Sequence, residues 1–396
     1  MSAPAATERR RLHEVDVVRV SAVALVVGAH TAAAIQLTTL AGAAVMLFHV
    51  SRETFFMVTA FVLMYGYART AVRWPAFWRK RWVLVGVPYV VWTVIYFAVS
   101  GVVYHSLTAS WSTAGSLGAN LLTGTGGYQL YFLVVSLQIY LVFPVLRWLI
   151  RSTQRHHALL LCACAAFQIV FSLAVQMQWQ VGIVSAWLRG PDAILLSYLF
   201  YIVAGAIAAW HADAFLAWTR QHARAVLAGA AVTIGLSIAT YAVQLTAGGM
   251  SPNAASAVFQ PVLVFESVAV AWALLTIGLL WADGRMARRT SVLALSDRSF
   301  GVYLMHPLLL AGALALMTAT GVLGAVQQMP AVAQLVVLLV VVAPVTYAAA
   351  AILTGVFRKT PLSLALAGRP RHQRTRAARR AVLEAIPAAQ PSEVAA

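Results

Sequence analysis

The sequence is poor in charge, above all in negative charge. Of 396 residues only 11 are Asp or Glu, and charged residues of both signs make up 10% against 61% hydrophobic. No soluble globular domain of ordinary composition has that balance. Cysteine is equally scarce. Cys162 and Cys164 lie together inside an apolar run, which excludes a disulfide framework or a structural zinc site and leaves them as small core residues. No internal repeat of the kind that marks many transporters is visible. No cleavable signal peptide is expected, because the apolar run behind Thr7 to Arg11 is too long and leads straight into further runs.

What is present is a succession of long apolar segments. Ten are long enough to cross a bilayer, at about residues 15–36, 43–67, 82–104, 128–150, 157–177, 191–210, 225–246, 259–281, 299–321 and 331–356. An all-α, polytopic membrane protein of ten transmembrane helices is therefore expected. The net charge of +17 does not indicate nucleic acid, because the basic residues fall between hydrophobic runs with no aromatic residues interleaved for base stacking. They alternate by side instead. Arg9, Arg10 and Arg11, the Arg69 to Arg81 segment, Arg147 to Arg155, Arg220 and Arg224, Arg285 to Arg298, and Arg358 onward all fall on one side, with Arg189 the exception on the other. By the positive-inside rule both termini are cytoplasmic. This divides the chain into a cytoplasmic segment at 1–14, a membrane domain at 15–356 and a basic, disordered tail at 357–396 whose arginines lie against anionic lipid. The long uncharged outer connection at 105–127 reads equally as a lid beside an outward cavity or as a plain loop.

Polar groups inside the membrane are costly and point to function. The first run carries Asp16 and Arg19 at its foot and His30 well up its length. Arg19 and His30 are eleven residues apart, close to a whole number of turns, so they share a face with a rise of roughly 16 Å between them. With Arg19 at the cytoplasmic surface, His30 falls near the midplane. The second run holds His49, Arg52 and Glu53 at spacings that let them share a face and neutralise one another, as a packing pair or as part of a shared cavity. Glu266 lies at a comparable depth, to be satisfied by Arg52 or by a substrate hydroxyl. Ser299, Tyr303 and His306 occupy neighbouring faces of the ninth run. There Pro307 frees the carbonyl one turn earlier and bends the helix, opening a polar pocket or leaving His306 to cap the kink. On the cytoplasmic side Arg79, Lys80 and Arg81 form a compact cluster suited to phosphate, or simply to positive-inside topology.

These residues resemble the acyltransferase-3 family of integral membrane O-acyltransferases. Asp16, Arg19 and His30 resemble the family's first-helix signature. FFMVTAFVLMY (Phe55 to Tyr65), RKRWVLVGVPYVVW (Arg79 to Trp92), YQLYFLVVSLQIYLVFPVLRW (Tyr128 to Trp148) and SFGVYLMHPLL (Ser299 to Leu309) follow in the family's order. Two departures are evident. Thr59, Ala60 and Phe61 stand where the family more often has Ser-Gly-Phe, and Trp82 stands three positions after Arg79 where a second arginine is common. The resemblance implies transfer of an acyl group, usually acetyl, from a coenzyme A thioester to a hydroxyl on a cell-surface glycan, glycolipid or glycosylated small molecule, with no metal ion. It implies His30 as general base or covalent carrier, Glu53 as the group that orients His30 or the acceptor, and Arg19, Arg79, Lys80 and Arg81 as donor-binding residues, with Arg19 alternatively orienting the first helix. Asp16, His49, Arg52, Glu266, Ser299, Tyr303 and His306 are then cavity residues. A multi-pass protein of a bacterial plasma membrane is expected. The rival reading is a transporter with a His/Glu/Arg relay, in which the same groups carry protons or anions.

Overall fold

The computed structural model describes residues 12–35, 37–103, 111–284 and 289–371. The expected N-terminal segment through Arg11, residues 104–110 of the outer connection, Arg285 and Arg288, and the tail from 372 onward lie outside the described residues.

The described residues are mainly helical. Their order is α1 (Glu14–Ala32), α2 (Thr39–Phe48), α3 (Val50–Tyr67), α4 (Trp74–Arg81), α5 (Val87–Val103), α6 (Trp111–Thr123), α7 (Tyr131–Ser152), α8 (His157–Gln176), α9 (Ser185–Arg189) and α10 (Leu199–Trp210). It continues with α11 (Ala212–Gln221), α12 (Ala223–Thr246), α13 (Pro252–Ala255), α14 (Pro261–Asp283), α15 (Arg289–Ala319), α16 (Val322–Gln327), α17 (Ala331–Val336), α18 (Ala343–Phe357) and α19 (Ser363–Ala367). No strand occurs among the described residues, as expected where lipid cannot satisfy an open sheet edge.

Nine helical stretches among the described residues are long and apolar enough to span a membrane. The expected tenth, at 191–210, is not one straight helix. Its regular part begins only at Leu195, and α10 turns by 92° into α11. The reason is that residues 190–194 are held as a loop: Ser197 Oγ donates to Pro191 O, and the Gln138 carboxamide brackets Ala193 O and Leu195 N. Counting the bent pair as one crossing restores ten.

Helix α1 lies at the centre, packed on α3, α14, α15 and α18. The tightest pairing is α3 with α10. There Gly205 lets the backbones touch, since a Cβ at that position would overlap the Met57 carbonyl oxygen. Prolines shape the other spans. The wide turns Trp82–Gly86 and Val337–Val342 each end two residues before a proline, Pro88 and Pro344, because proline removes the N–H that would close a regular turn. Inside α7, Pro144 frees the carbonyl of Tyr140, and the Trp78 indole N–H from α4 donates to it at 2.9 Å. That bond fastens the basic helix α4 against the bundle.

Candidate functional site

Two cavities meet end to end inside the bundle. The outer one, of about 890 Å³, is lined by His30, Arg52, Tyr128, Gln129, Asp192 and Tyr303 among others. The inner one, of about 240 Å³, is lined by Arg19, Arg81, Ser299, Phe300 and Arg369. Phe55, Phe132 and Tyr303 border both. Their rings lie 5.2–6.3 Å apart between centroids, so they form an aromatic partition. A third cavity, of about 560 Å³ between α3, α8, α10 and α14, is almost wholly apolar, with Phe61, Leu161, Phe200 and Trp272 on its walls. It offers hydrocarbon a place but brings few groups to chemistry.

His30 is partly buried and enters only the outer cavity. Its ring is flanked by Tyr128 at 4.4 Å and stacked on His306 at 5.3 Å between centroids. His306 was expected to line a cavity, but it is fully buried behind His30 and lines neither. Pro307 accounts for this. The carbonyl it frees belongs to Tyr303, and His306 Nδ1–H donates to that carbonyl at 2.8 Å, which fixes the tautomer and leaves Nε2 as an acceptor. Tyr303 in turn donates its hydroxyl to Gln129 O at 2.5 Å. Thus the Tyr303–Pro307 turn of α15 sets the His306 ring against the histidine of α1 and holds the residue pair before α7 through the Gln129 carbonyl.

His49 is the junction residue between α2 and α3, with helical dihedrals, and the two helices form one span, Thr39–Tyr67. His49 borders the outer cavity, as Arg52 does, and its Nδ1 has no hydrogen-bond partner among the described residues. Arg52 binds its neighbour Glu53 through Nη2 at 2.7 Å and Nε at 3.1 Å, and Asp192 through Nη1 at 3.0 Å. Its guanidinium lies over the adjacent rings of Tyr198 and Phe259 at 4.9 and 4.7 Å. Glu53 is therefore engaged with Arg52, and the contacts made by the His30 ring are with Tyr128 and His306 rather than with Glu53. Arg52 does not reach out to satisfy Glu266 either. Glu266 is fully buried on α14 and lines neither of the two central cavities.

Arg19, Arg81 and Ser299 line the inner cavity, and Ser299 donates to Leu295 O. Arg79 and Lys80 do not line the cavity. They precede Arg81 on α4 and point elsewhere, whereas Arg81 lies over Tyr140 at 5.6 Å and Phe77 at 5.5 Å. Asp16 lines neither central cavity. It accepts from Ser296 Oγ at 2.6 Å and sits 3.7 Å from Arg19, joining α1 to α15 and steering the arginine.

Sequence reasoning missed Asp192, Gln129 and Arg369. Asp192 is one of very few acids and follows Gly190 and Pro191, which signals a loop. Arg369 comes from the stretch expected to be a disordered tail. Up to residue 371 that stretch is folded: α19 packs on α5 and α15, and the Trp92 indole N–H donates to Leu366 O at 3.3 Å. The outer connection likewise holds α6, and residues 122–125 beyond or at its end wall the outer cavity. Gly124 makes that wall possible. Its φ is +76°, and a Cβ there would press on the Tyr131 backbone at 2.6 Å.

The family model for an acyltransferase domain, Acyl_transf_3, matches residues 12–353. The chain belongs to the acyltransferase-3 family. No curated protein and no solved structure matches it. As a membrane acyltransferase it has two histidines, His30 and His49, on the wall of its larger central cavity and three arginines around its smaller one. Two of those arginines, Arg19 and Arg81, lie within the matched span, and Arg369 lies beyond it.

Proposed function

We propose that this protein moves an acyl group, acetyl in the first instance, from a cytoplasmic coenzyme A thioester to a hydroxyl of a cell-surface glycan, glycolipid or glycosylated small molecule, in the plasma membrane of a bacterium. The observation that carries this reading is the pair of cavities on either side of one partition. The basic cavity lies at the end that loop charge assigns to the cytoplasm, the histidine cavity lies at the other, and α1 supplies Arg19 to the first and His30 to the second.

Arg19, Arg81 and Arg369 would hold the phosphates of the donor, since guanidinium meets phosphate with two parallel hydrogen bonds. The 16 Å rise from Arg19 to His30, at helical pitch, is roughly the reach of an extended pantetheine arm. His30 then takes the proton of the acceptor hydroxyl as that oxygen attacks the thioester carbon. The C–O bond forms, the C–S bond breaks, and the same proton returns from His30 to the sulfur, releasing a thiol. His306 acts only through His30, by stacking on it. Arg52, Glu53 and Asp192 shape the outer cavity in which the acceptor sits.

Purified protein in detergent, given labelled acetyl-coenzyme A and a panel of alkyl glycosides, is expected to move label onto sugar hydroxyls with release of one thiol per transfer. Flux of a glycoside across sealed vesicles without coenzyme A, and no label transfer, would favour the transporter reading instead.

A further inference from the structure

A groove of about 780 Å³ adjoins the outer cavity and has no part in the chemistry described so far. It is walled by the connection from α8 to α10 and by the one from α12 to α14, at the end of the bundle that loop charge assigns to the outside. Asp192 and Val258 border the groove and the outer cavity alike. Asp192 is fixed there by Arg52, whose Nη1 donates to its carboxylate at 3.0 Å. The same guanidinium lies over Phe259, which also lines the groove. The two spaces therefore share one wall.

The rest of the groove carries four carboxamides, on Gln176, Gln178, Gln180 and Asn253, with the Trp179 indole and the Arg189 guanidinium. Trp179 is 42% exposed. A tryptophan at a membrane rim serves as an interfacial anchor, but that role does not account for the amides and the arginine on the same wall. Arg189 is the exception to the charge rule, an arginine on the side that the other arginine-rich segments avoid. Its Nη1 donates to Gln180 Oε1 at 3.2 Å, and Gln180 Nε2 donates to Gln178 O at 3.1 Å, which ties α9 to the turn after α8. That turn is made by Gln178 with φ of +53°, a left-handed conformation that residues other than glycine rarely adopt. Directly after it the Trp179 N–H reaches back to Ala174 O at 2.9 Å, and the chain runs on along the groove.

We propose that this groove binds linked sugars, holding the part of an oligosaccharide acceptor that neighbours the sugar acylated in the outer cavity. As an acceptor subsite it rests on the acyl-transfer reading above, and it narrows the acceptor to a glycan of two or more sugars that enters from the outer side. A pyranose ring has an apolar C–H face and a rim of hydroxyls, each both donor and acceptor. Trp179 offers a flat apolar surface to the face. The carboxamides offer a donor and an acceptor side by side, and Arg189 a planar fork of donors, to adjacent hydroxyls of the rim. A hydrocarbon tail in the groove would strip water from these amides and return no hydrogen bond. The volume falls within the roughly 300–1,000 Å³ that takes a drug-sized molecule, more than a single sugar ring fills.

The test uses the full-length protein in phospholipid nanodiscs and labelled methyl glycosides of one, two and three linked glucose, galactose or mannose units. Equilibrium binding is measured without donor, and acyl transfer with acetyl-coenzyme A. For at least one of the three sugars, wild type is expected to bind the two- and three-sugar glycosides at least about tenfold more tightly than the single sugar, and to prefer them similarly in kcat/KM. Trp179→Ala should bring that preference to about one, Trp179→Phe, which keeps a flat ring, should retain at least about threefold, and Arg189→Ala should lower it about three- to fivefold. Equal affinity for one and several sugars, a preference that survives Trp179→Ala, or binding of none of the glycosides would overturn the proposal. Transfer of label to single sugars as fast as to longer glycosides would overturn it while leaving the acyl-transfer reading in place. Selective binding of the longer glycosides by a wild type that consumes no acyl-coenzyme A would overturn the acyl-transfer reading and the acceptor role with it.

Discussion

Replacing Arg52 with leucine removes the cation from a buried ionic group and exposes how the outer cavity is held together. The guanidinium makes two bonds to Glu53 and one to Asp192, and lies over two adjacent aromatic rings. Without it the Glu53 carboxylate, whose side chain is 6% exposed, is left buried and unpaired. The loss of one partner from a buried pair costs about 3–5 kcal/mol. Arg52→Lys keeps the charge but loses the planar fork and its stacking, for a loss of about 1–2 kcal/mol. Asp192→Asn should cost less than about 1 kcal/mol, because the Asp192 side chain is 52% exposed and water can take over its interaction. The double replacement Arg52→Leu with Glu53→Leu should recover most of the loss, since well-packed apolar residues often substitute for a buried ion pair at little cost. Thermal unfolding of the four variants in one detergent, followed by tryptophan fluorescence, gives the ranking. A double variant as unstable as Arg52→Leu, or an Asp192→Asn as damaging, would refute the reasoning.

Two further outcomes follow from the cavities. Arg81→Gln and Arg369→Gln should each raise the donor KM by about five- to tenfold and leave the acceptor KM unchanged in steady-state kinetics, because each removes a guanidinium from the inner cavity. Arg79→Gln and Lys80→Gln, whose side chains lie outside that cavity, should stay within about twofold. Phe55→Ala opens the partition between the cavities and should shift kcat/KM toward butyryl- over acetyl-coenzyme A by about tenfold, the value of two additional buried methylenes at about 0.8 kcal/mol each; an unchanged ratio would mean that the three rings do not gauge the acyl chain.

Much of the frame was legible in the sequence because it depends on local rules. Apolar run length and loop charge give the spans and their side, and helical pitch alone puts Arg19 and His30 on one face of α1 at different depths. Pro307 likewise announced a free carbonyl, and the structure shows which one and what takes it. The partnerships were less legible because they depend on how helices pack. Asp192 meets Arg52 across 140 positions. Arg52 was read with His49 and Glu53 by their spacing, and the packed structure adds Asp192 as its second carboxylate. Arg369 lay in a basic stretch whose composition resembles disorder, and only the seat of α19 between α5 and α15 brings it to the inner cavity.

The central claim is that His30 carries proton transfer in an acyl transfer from coenzyme A. It is tested most directly by one single-turnover measurement, with labelled acetyl-coenzyme A bound to wild type or to His30→Ala and a glycoside acceptor added. The account predicts donor binding within about twofold of wild type, since His30 lines only the outer cavity, and a transfer rate lowered by at least about 100-fold. Transfer at the wild-type rate by the alanine variant would contradict it.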